Sequence, residues 1–176
     1  NRQRVIDICQ EILKRGLVFS WDIRARVNTV DEEVLSWLKK AGCVRIHYGV
    51  EAGTEKILKV LNKGITLDQA LKVFKMTKKM GIDTLAYFMI GAPYETREDI
   101  LATIAFAKKL DPDFVQITLL TPFPATKIYY QALHEKIFPI DYWQEFAQNP
   151  RSDFKTSYWT KELSLEELKE LLTMFY

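Results

Sequence analysis

The sequence predicts an α/β protein with a parallel sheet that is curved and barrel-like rather than flat, and three observations carry this reading. An amphipathic helix ends in glycine and an apolar run follows at once, in "EILKRGLVFSW", "WLKKAGCVRIHYGV" and "KKMGIDTLAYFMI". Helix start signals recur between these runs. Polar side chains also alternate along one face of most of the runs. Strands that alternate with helices of this length form right-handed βαβ units.

The elements follow in order. A first helix closes at Gly16 after basic residues, which favour a helix C-terminus, and a strand is predicted over 17–27. Asp31 starts the second helix, and Gly42 ends it before a strand over 43–50. Thr66 with Gln69 opens a helix that runs to Gly81, ahead of a strand over 82–90. Thr96 with Asp99 opens the next, and "DPD" leads into a fourth strand over 114–120. Beyond Pro122 the alternation fades into short aromatic-rich helical pieces, and Ser164 with Glu167 starts a last helix. The expected division is a barrel part at 1–135 and a helical extension at 136–176.

Alternation along the strands separates two faces. Trp21, Ile23 and Ala25 oppose Asp22, Arg24 and Arg26, while Val44, Ile46, Tyr48 and Val50 oppose Arg45, His47, Gly49 and Glu51. Val115, Ile117 and Leu119 oppose Gln116 and Thr118, and the third strand is apolar on both faces apart from Asp83, Thr84 and Tyr87. A parallel strand covered by helices on both sides is normally apolar on both. Burying a lone charge costs several kcal/mol, so the polar face is either solvated or lines a wet cavity. A curved sheet with helices outside satisfies this better than a doubly wound one.

Composition narrows the class. Hydrophobic residues make up 48% and charged residues 27%, a globular balance, and a net charge of +2 is too small to argue for nucleic acid or a membrane. The apolar stretches are strand-length, so neither a membrane span nor a signal peptide is read. Cys9 and Cys43 match no zinc spacing and fall in apolar patterns; buried thiols in a cytoplasmic protein are expected, with a disulfide as the alternative. The last segment, "LSLEELKELLTMFY", is still helical in pattern where it stops, so a piece of a longer protein is expected.

In barrels of this kind ligands bind at the C-terminal strand ends. Here those ends read "RVN", "GVEAG", "IGAPYET" and "TPFPATKIYY". Each residue also has an ordinary role open to it. Glu51 could accept amides of its own turn, the glycines and prolines could shape loops, His47 could be a satisfied interior histidine, and the cluster Tyr129, Tyr130, Tyr142, Trp143 and Phe146 could be packing. Their coincidence on one rim is the signal.

Taken in order, "WDIRARVNTVDEEVLSWLKKAGCVRIHYGVEAGTEKILKVLNKGIT" and "YFMIGAPYETREDILATIAFAKKLDPDFVQITLLTPFPATKIY" resemble the radical S-adenosylmethionine (SAM) enzymes. The resemblance is to the group associated with a cobalamin-binding domain, which includes anaerobic magnesium-protoporphyrin cyclase-like proteins. Their usual wording is close to "RVD", "GVESG", "IIGLPGET" and "TPYPGT". The resemblance implies a partial TIM-type (β/α)6 barrel, of which this chain supplies the third to sixth strands. It implies SAM and a 4Fe–4S cluster whose CxxxCxxC ligands lie outside this chain, cobalamin as a further cofactor of the whole protein, a small-molecule substrate and an electron donor. It also implies that the isolated chain is catalytically silent.

Carried across by position, Glu51 would contact the ribose or the methionine part of SAM, and Arg26 would pair with the SAM carboxylate or with a substrate acid. Ile90 and Gly91 would pack on adenine, the glycine leaving room for the base, and Leu120 to Pro122 would contact its edge. Ala52 stands in place of a serine and loses a hydroxyl contact, and Ala125 in place of a glycine is expected to turn its loop differently. Arg24, Arg45, His47, Tyr87, Gln116 and Thr118 would line the substrate cavity. Two other readings stay open: a (β/α) hydrolase or lyase with Glu51 and His47 as an acid–base pair, and a non-catalytic ligand-binding module. An unpaired edge along 17–27 is expected to drive dimerisation unless the first helix covers it.

Overall fold

The computed structural model of the protein describes residues 1–175. The chain runs α1 (Arg2–Lys14), β1 (Trp21–Arg26), α2 (Glu32–Lys40), β2 (Cys43–Glu51), α3 (Glu55–Val60) and α4 (Leu67–Lys79). It continues β3 (Asp83–Ile90), α5 (Arg97–Leu110), β4 (Phe114–Leu119), α6 (Lys127–His134), α7 (Tyr142–Gln148) and α8 (Leu165–Thr173). The four strands form one parallel sheet in the sequential order β1-β2-β3-β4, as a barrel segment requires and a doubly wound sheet does not.

The start signals read from the sequence are the ones used. Asp31 accepts the Val34 amide, and Thr66 with Gln69, Thr96 with Asp99 and Ser164 with Glu167 each close a reciprocal capping box. These bonds satisfy amides that the first helical turn leaves without partners.

Register settles which side chains share a face. Asp22, Arg24 and Arg26 pair with Arg45, His47 and Gly49, and these in turn with Asp83, Leu85 and Tyr87, which pair with Phe114 and Gln116. The opposite face carries Ile46, Tyr48, Val50, Ala86, Phe88 and Ile90, all at 0% exposure. Helices cover that apolar face and make the main core. Polar groups within it are paired: the Tyr48 hydroxyl lies 2.8 Å from Thr77 Oγ1, which in turn donates to the Val73 carbonyl.

The first strand is shorter than expected. Leu17 to Ser20 lie outside it because β2 begins at Cys43, which pairs with Trp21, so the earlier residues have no strand to join. Leu17, Val18 and Phe19 are consequently exposed, Val18 by 98%. Helix α1 packs on α2, and β1 stands at the edge of the sheet. At the other end, Leu168 and Leu171 of α8 join the main core. A second cluster joins Tyr129 and Ala132, before the expected boundary at 135, to Phe138 and Trp159 after it.

The loop after β2 is held tightly against α5. The Gly53 amide donates to Thr103 Oγ1 at 2.9 Å, and a Cβ on Gly53 would lie 2.5 Å from the Thr103 Cα and 2.8 Å from the Phe106 Cβ. Gly53→Ala is therefore expected to destabilise the fold by about 1–3 kcal/mol, the scale of overpacking. Urea unfolding should read this as a lower midpoint with an unchanged slope.

Candidate functional site

The C-terminal end of β2 builds the rim. Register slips between Gly49 and Glu51, and Glu51 takes φ 75°, so the strand bulges as it ends. The bulge turns the Glu51 carboxylate back over the sheet. A Cβ on Gly49 would lie 2.4 Å from Glu51 Oε1 and 2.8 Å from Lys63 Nζ, so that glycine makes the space both groups occupy. Lys63 donates to Glu51 Oε1 at 2.5 Å, with Lys63 18% and Glu51 16% exposed. Arg26 donates to the Lys63 carbonyl at 2.6 Å, and the Asn28 amide to the Gly64 carbonyl at 3.2 Å. The ends of β1 and β2 and the turn after α3 are thereby tied together.

Beside this pair lies a cavity of about 360 Å³, its wall made by Met89, Leu120, Pro122, Phe123 and Ile128 with Glu51 and Lys63 at one side. It is apolar with a charged margin, the character of a site for a flat ligand with a charged tail. Lys63 was not found by sequence reasoning. Its position before Gly64 reads as an ordinary basic helix end, and only the glycine on the polar face of β2 hinted that something else fills that place.

Further down the polar face the side chains pair with one another. His47 Nδ1 is 3.0 Å from the Tyr87 hydroxyl, and its Nε2 is 3.4 Å from Asp22 Oδ2. Arg24 and Gln116 flank these as the register partners of His47 and Tyr87, and Thr118 is the partner of Met89. Arg45 lies 3.9 Å over the Phe114 ring and 3.6 Å from Asp83, closing the other end of the face. His47 and Glu51 thus have separate partners, and the acid–base pair of the hydrolase reading is not assembled.

The corner after β3 corrects several expectations. A Cβ on Gly91 would meet the end of the Leu168 side chain of α8 at 3.3 Å, and the backbone φ of 84° itself favours glycine. Ile90 and Ala52 are both fully buried in the apolar core, which leaves only their backbones for any ligand contact. The Ile90 carbonyl already accepts the Leu120 amide at 2.8 Å. Ala125 has φ 65°, the conformation glycine would adopt, so its loop keeps the turn that was expected to change.

The acidic character of the corner has its own cause. Glu95 Oε2 accepts the Gly91 and Ala92 amides at 2.7 and 2.9 Å, and the residue is only 1% exposed. Tyr94 stands where the family wording has glycine, at φ 62°. Partners from the C-terminal third hold it there. Its hydroxyl meets Gln131 Nε2 at 2.7 Å and Glu135 Oε1 at 3.3 Å, and its ring packs edge-on against Trp159 at 6.2 Å.

No group of three or more His, Cys, Asp or Glu among the described residues is arranged to hold a metal ion. Both cysteines are free and buried, and burial pushes the Cys43 thiol up to about 11. No helix among the described residues is long and apolar enough to cross a membrane.

Residues 2–107 match the model of the radical SAM superfamily. The chain belongs to that superfamily. It is therefore part of an enzyme family, which sets aside the binding-module reading as well as the hydrolase. The sequence is 37% identical over all 176 residues to an uncharacterized methyltransferase, PH0819, of Pyrococcus horikoshii. It is 34% identical over 146 residues to an anaerobic magnesium-protoporphyrin IX monomethyl ester cyclase of Cereibacter sphaeroides. The chain spans 38% of the first and 24% of the second. The fold is shared with coproporphyrinogen III oxidase of Escherichia coli, at TM-score 0.68 and 17% identity over 99% of this chain and 36% of that one. A radical SAM methyltransferase of Kitasatospora setae, with cobalamin and a 4Fe–4S cluster bound, gives TM-score 0.66 at 21% identity over 74% of this chain and 27% of that one.

Burial raises the Glu95 carboxyl to about 7, against the pull of the two amides it accepts. The folded state therefore keeps a proton that the unfolded chain gives up near the usual carboxylate range. Between about pH 4.5 and pH 7 the unfolded state binds fewer protons, so stability falls as pH rises, by about 3 kcal/mol in all. Glu95→Gln should abolish that fall, seen as urea midpoints that agree between about pH 5 and pH 8 where the wild type's differ.

Proposed function

We propose that this chain is the SAM-binding part of a radical SAM enzyme that methylates a small molecule. The observation that carries the reading is the Glu51–Lys63 pair folded over Gly49 at the mouth of an apolar cavity. A carboxylate beside an ammonium complements the zwitterionic amino-acid end of SAM, ammonium to carboxylate and carboxylate to ammonium. Arg26 fixes the turn that carries Lys63, so its role in this reading is to place that lysine. Met89, Leu120 and Pro122 offer the apolar wall for adenine, and the backbone at Gly91 and the Leu120–Pro122 segment the polar edge.

The 4Fe–4S cluster does not fit this chain. A CxxxCxxC loop supplies three thiolates, whereas the two cysteines here are buried and held protonated. No step is assigned through it, and its ligands belong to another part of the protein. SAM, when bound, would supply a 5′-deoxyadenosyl radical on one-electron reduction, or an electrophilic methyl group without it. The residues here bind and orient it, and the apolar wall excludes water. Methyl transfer is favoured because the relative named as a methyltransferase aligns over the whole chain, whereas the cyclase aligns over 81% of it. Cobalamin, held elsewhere in the protein, suits that chemistry as the methyl carrier. An external electron donor, a cytoplasmic setting and pairing of the chain along the open β1 edge complete the proposal.

Calorimetry on the full-length protein tests the site. Glu51→Ala and Lys63→Met are each expected to weaken SAM binding by about 1–3 kcal/mol, the range for losing a hydrogen bond to a charged group. Gly49→Ala is expected to do the same by displacing both partners at once. Wild-type affinity in all three variants would sink the assignment. Sedimentation of the chain alone should show self-association that Val18→Lys suppresses.

A further inference from the structure

Below the Glu51–Lys63 pair, three side chains stand in line across three strands. His47 of β2 has Nδ1 3.0 Å from the hydroxyl of Tyr87 on β3, and Nε2 3.4 Å from Oδ2 of Asp22 on β1. Nε2 is shielded from solvent and makes no hydrogen bond of good geometry, and the Asp22 carboxylate is the charge beside it. In the tautomer with its proton on Nε2, Nδ1 accepts from the phenol. The His47 side chain is 14% exposed and Asp22 57%, so the line leads from the middle of the sheet to its open edge.

Tyr87 is also next to the proposed SAM anchor. Its register partner on β2 is Gly49, over which the Glu51 carboxylate and the Lys63 ammonium lie. Neighbouring strands are about 4.8 Å apart, which sets the Tyr87 backbone one strand from that pair. Its partner on the other side is Gln116.

We propose that Tyr87 is a proton-transfer residue on the polar face of the sheet, with His47 taking up the phenolic proton and Asp22 balancing the charge. The inference rests on the methyl-transfer reading above. Replacing hydrogen on a substrate group X–H by a methyl delivered as a cation equivalent leaves one proton to remove. The methyl comes from the SAM sulfonium: its S–C bond breaks with the pair left on sulfur as a thioether, and the X–C bond forms from the pair of the X–H bond. X–H gives its proton to the Tyr87 oxygen while the original phenolic proton moves to His47 Nδ1. One X–C, one O–H and one N–H bond form, one S–C, one X–H and one O–H bond break, and no electron is gained or lost. The resulting imidazolium lies against Asp22. Arg24, its register partner, and Arg45 on its own strand oppose that charge, but Arg45 is engaged by Asp83 and the Phe114 ring. The substrate class is a small molecule methylated at an N–H, O–H or activated C–H group, since an unactivated alkyl group has no proton for a phenol to take. His47 and Asp22 act through Tyr87 and are positioning residues.

The test uses the full-length protein with ¹⁵N-labelled histidine, His47 being assigned by its loss in His47→Gln. The expected spectrum has a protonated Nε2 and a hydrogen-bonded, unprotonated Nδ1. Tyr87→Phe should shift the Nδ1 resonance to that of an unbonded nitrogen with Nε2 still protonated, and Asp22→Asn should mix the two tautomers. A proton on Nδ1 in the wild type, or no response to either substitution, overturns the arrangement. The functional arm supplies the cluster-loaded protein with methyl-labelled SAM and a small-molecule extract of its source cells. Tyr87→Phe is expected to bind SAM as the wild type does but incorporate label about 100-fold more slowly, within the range of general acid–base catalysis. Incorporation at the wild-type rate overturns the role of Tyr87. Absence of incorporation by the wild type, with the histidine signature intact, overturns the methyl-transfer reading instead and the role that rests on it.

Discussion

The carboxylate of Glu51 occupies the place of a side chain that Gly49 does not have, and the rim of the sheet is organised around that exchange. An ordinary strand end would send residue 51 onward into the loop. The bulge and the left-handed backbone at Glu51 send it back, and such a conformation costs a non-glycine residue of order 1 kcal/mol. Lys63 offsets that cost and needs the carboxylate as much, since neither charge has full access to water. Through the Lys63 and Gly64 carbonyls the same turn holds Arg26 and Asn28, so three chain segments become one surface.

The two faces of the sheet do different work because their side chains meet different media. The apolar face is closed by helices and by paired hydroxyls, and it fixes where each strand lies. The polar face keeps its charges in small self-contained groups: Arg45 with Asp83 at one end, His47 with Asp22 and Tyr87 in the middle, Glu51 with Lys63 at the rim. Each group sits beside its counter-charge, which is what allows so polar a surface on a parallel sheet.

The architecture was legible because its signals are local. Helix caps, glycine stops and alternation along each strand are all set within a few residues, and Asp31, Thr66, Thr96 and Ser164 do what their neighbours imply. The site was legible only where strand parity governs it, as at Arg24, His47, Tyr87 and Gln116. Glu51 has the right face for a different reason, since its bulge breaks the alternation that was used to place it. Lys63 and Leu168 could not be read at all, because each meets its partner through a fold-level approach that no spacing encodes. At Gly91 the glycine was legible but its neighbour was not, since Leu168 comes from a helix more than seventy residues later.

Tyr94 has a consequence for how this chain tolerates exchange with its relatives. Its backbone is one that glycine adopts freely, and the tyrosine is retained there by Gln131, Glu135, Trp159 and Lys161. A graft that carried the corner alone into another scaffold would bring the strain and leave its compensation behind. A graft of the C-terminal third onto a glycine corner would leave the Gln131, Trp159 and Lys161 contacts facing empty space. The two stretches therefore depend on one another, and exchanging either alone is expected to cost stability.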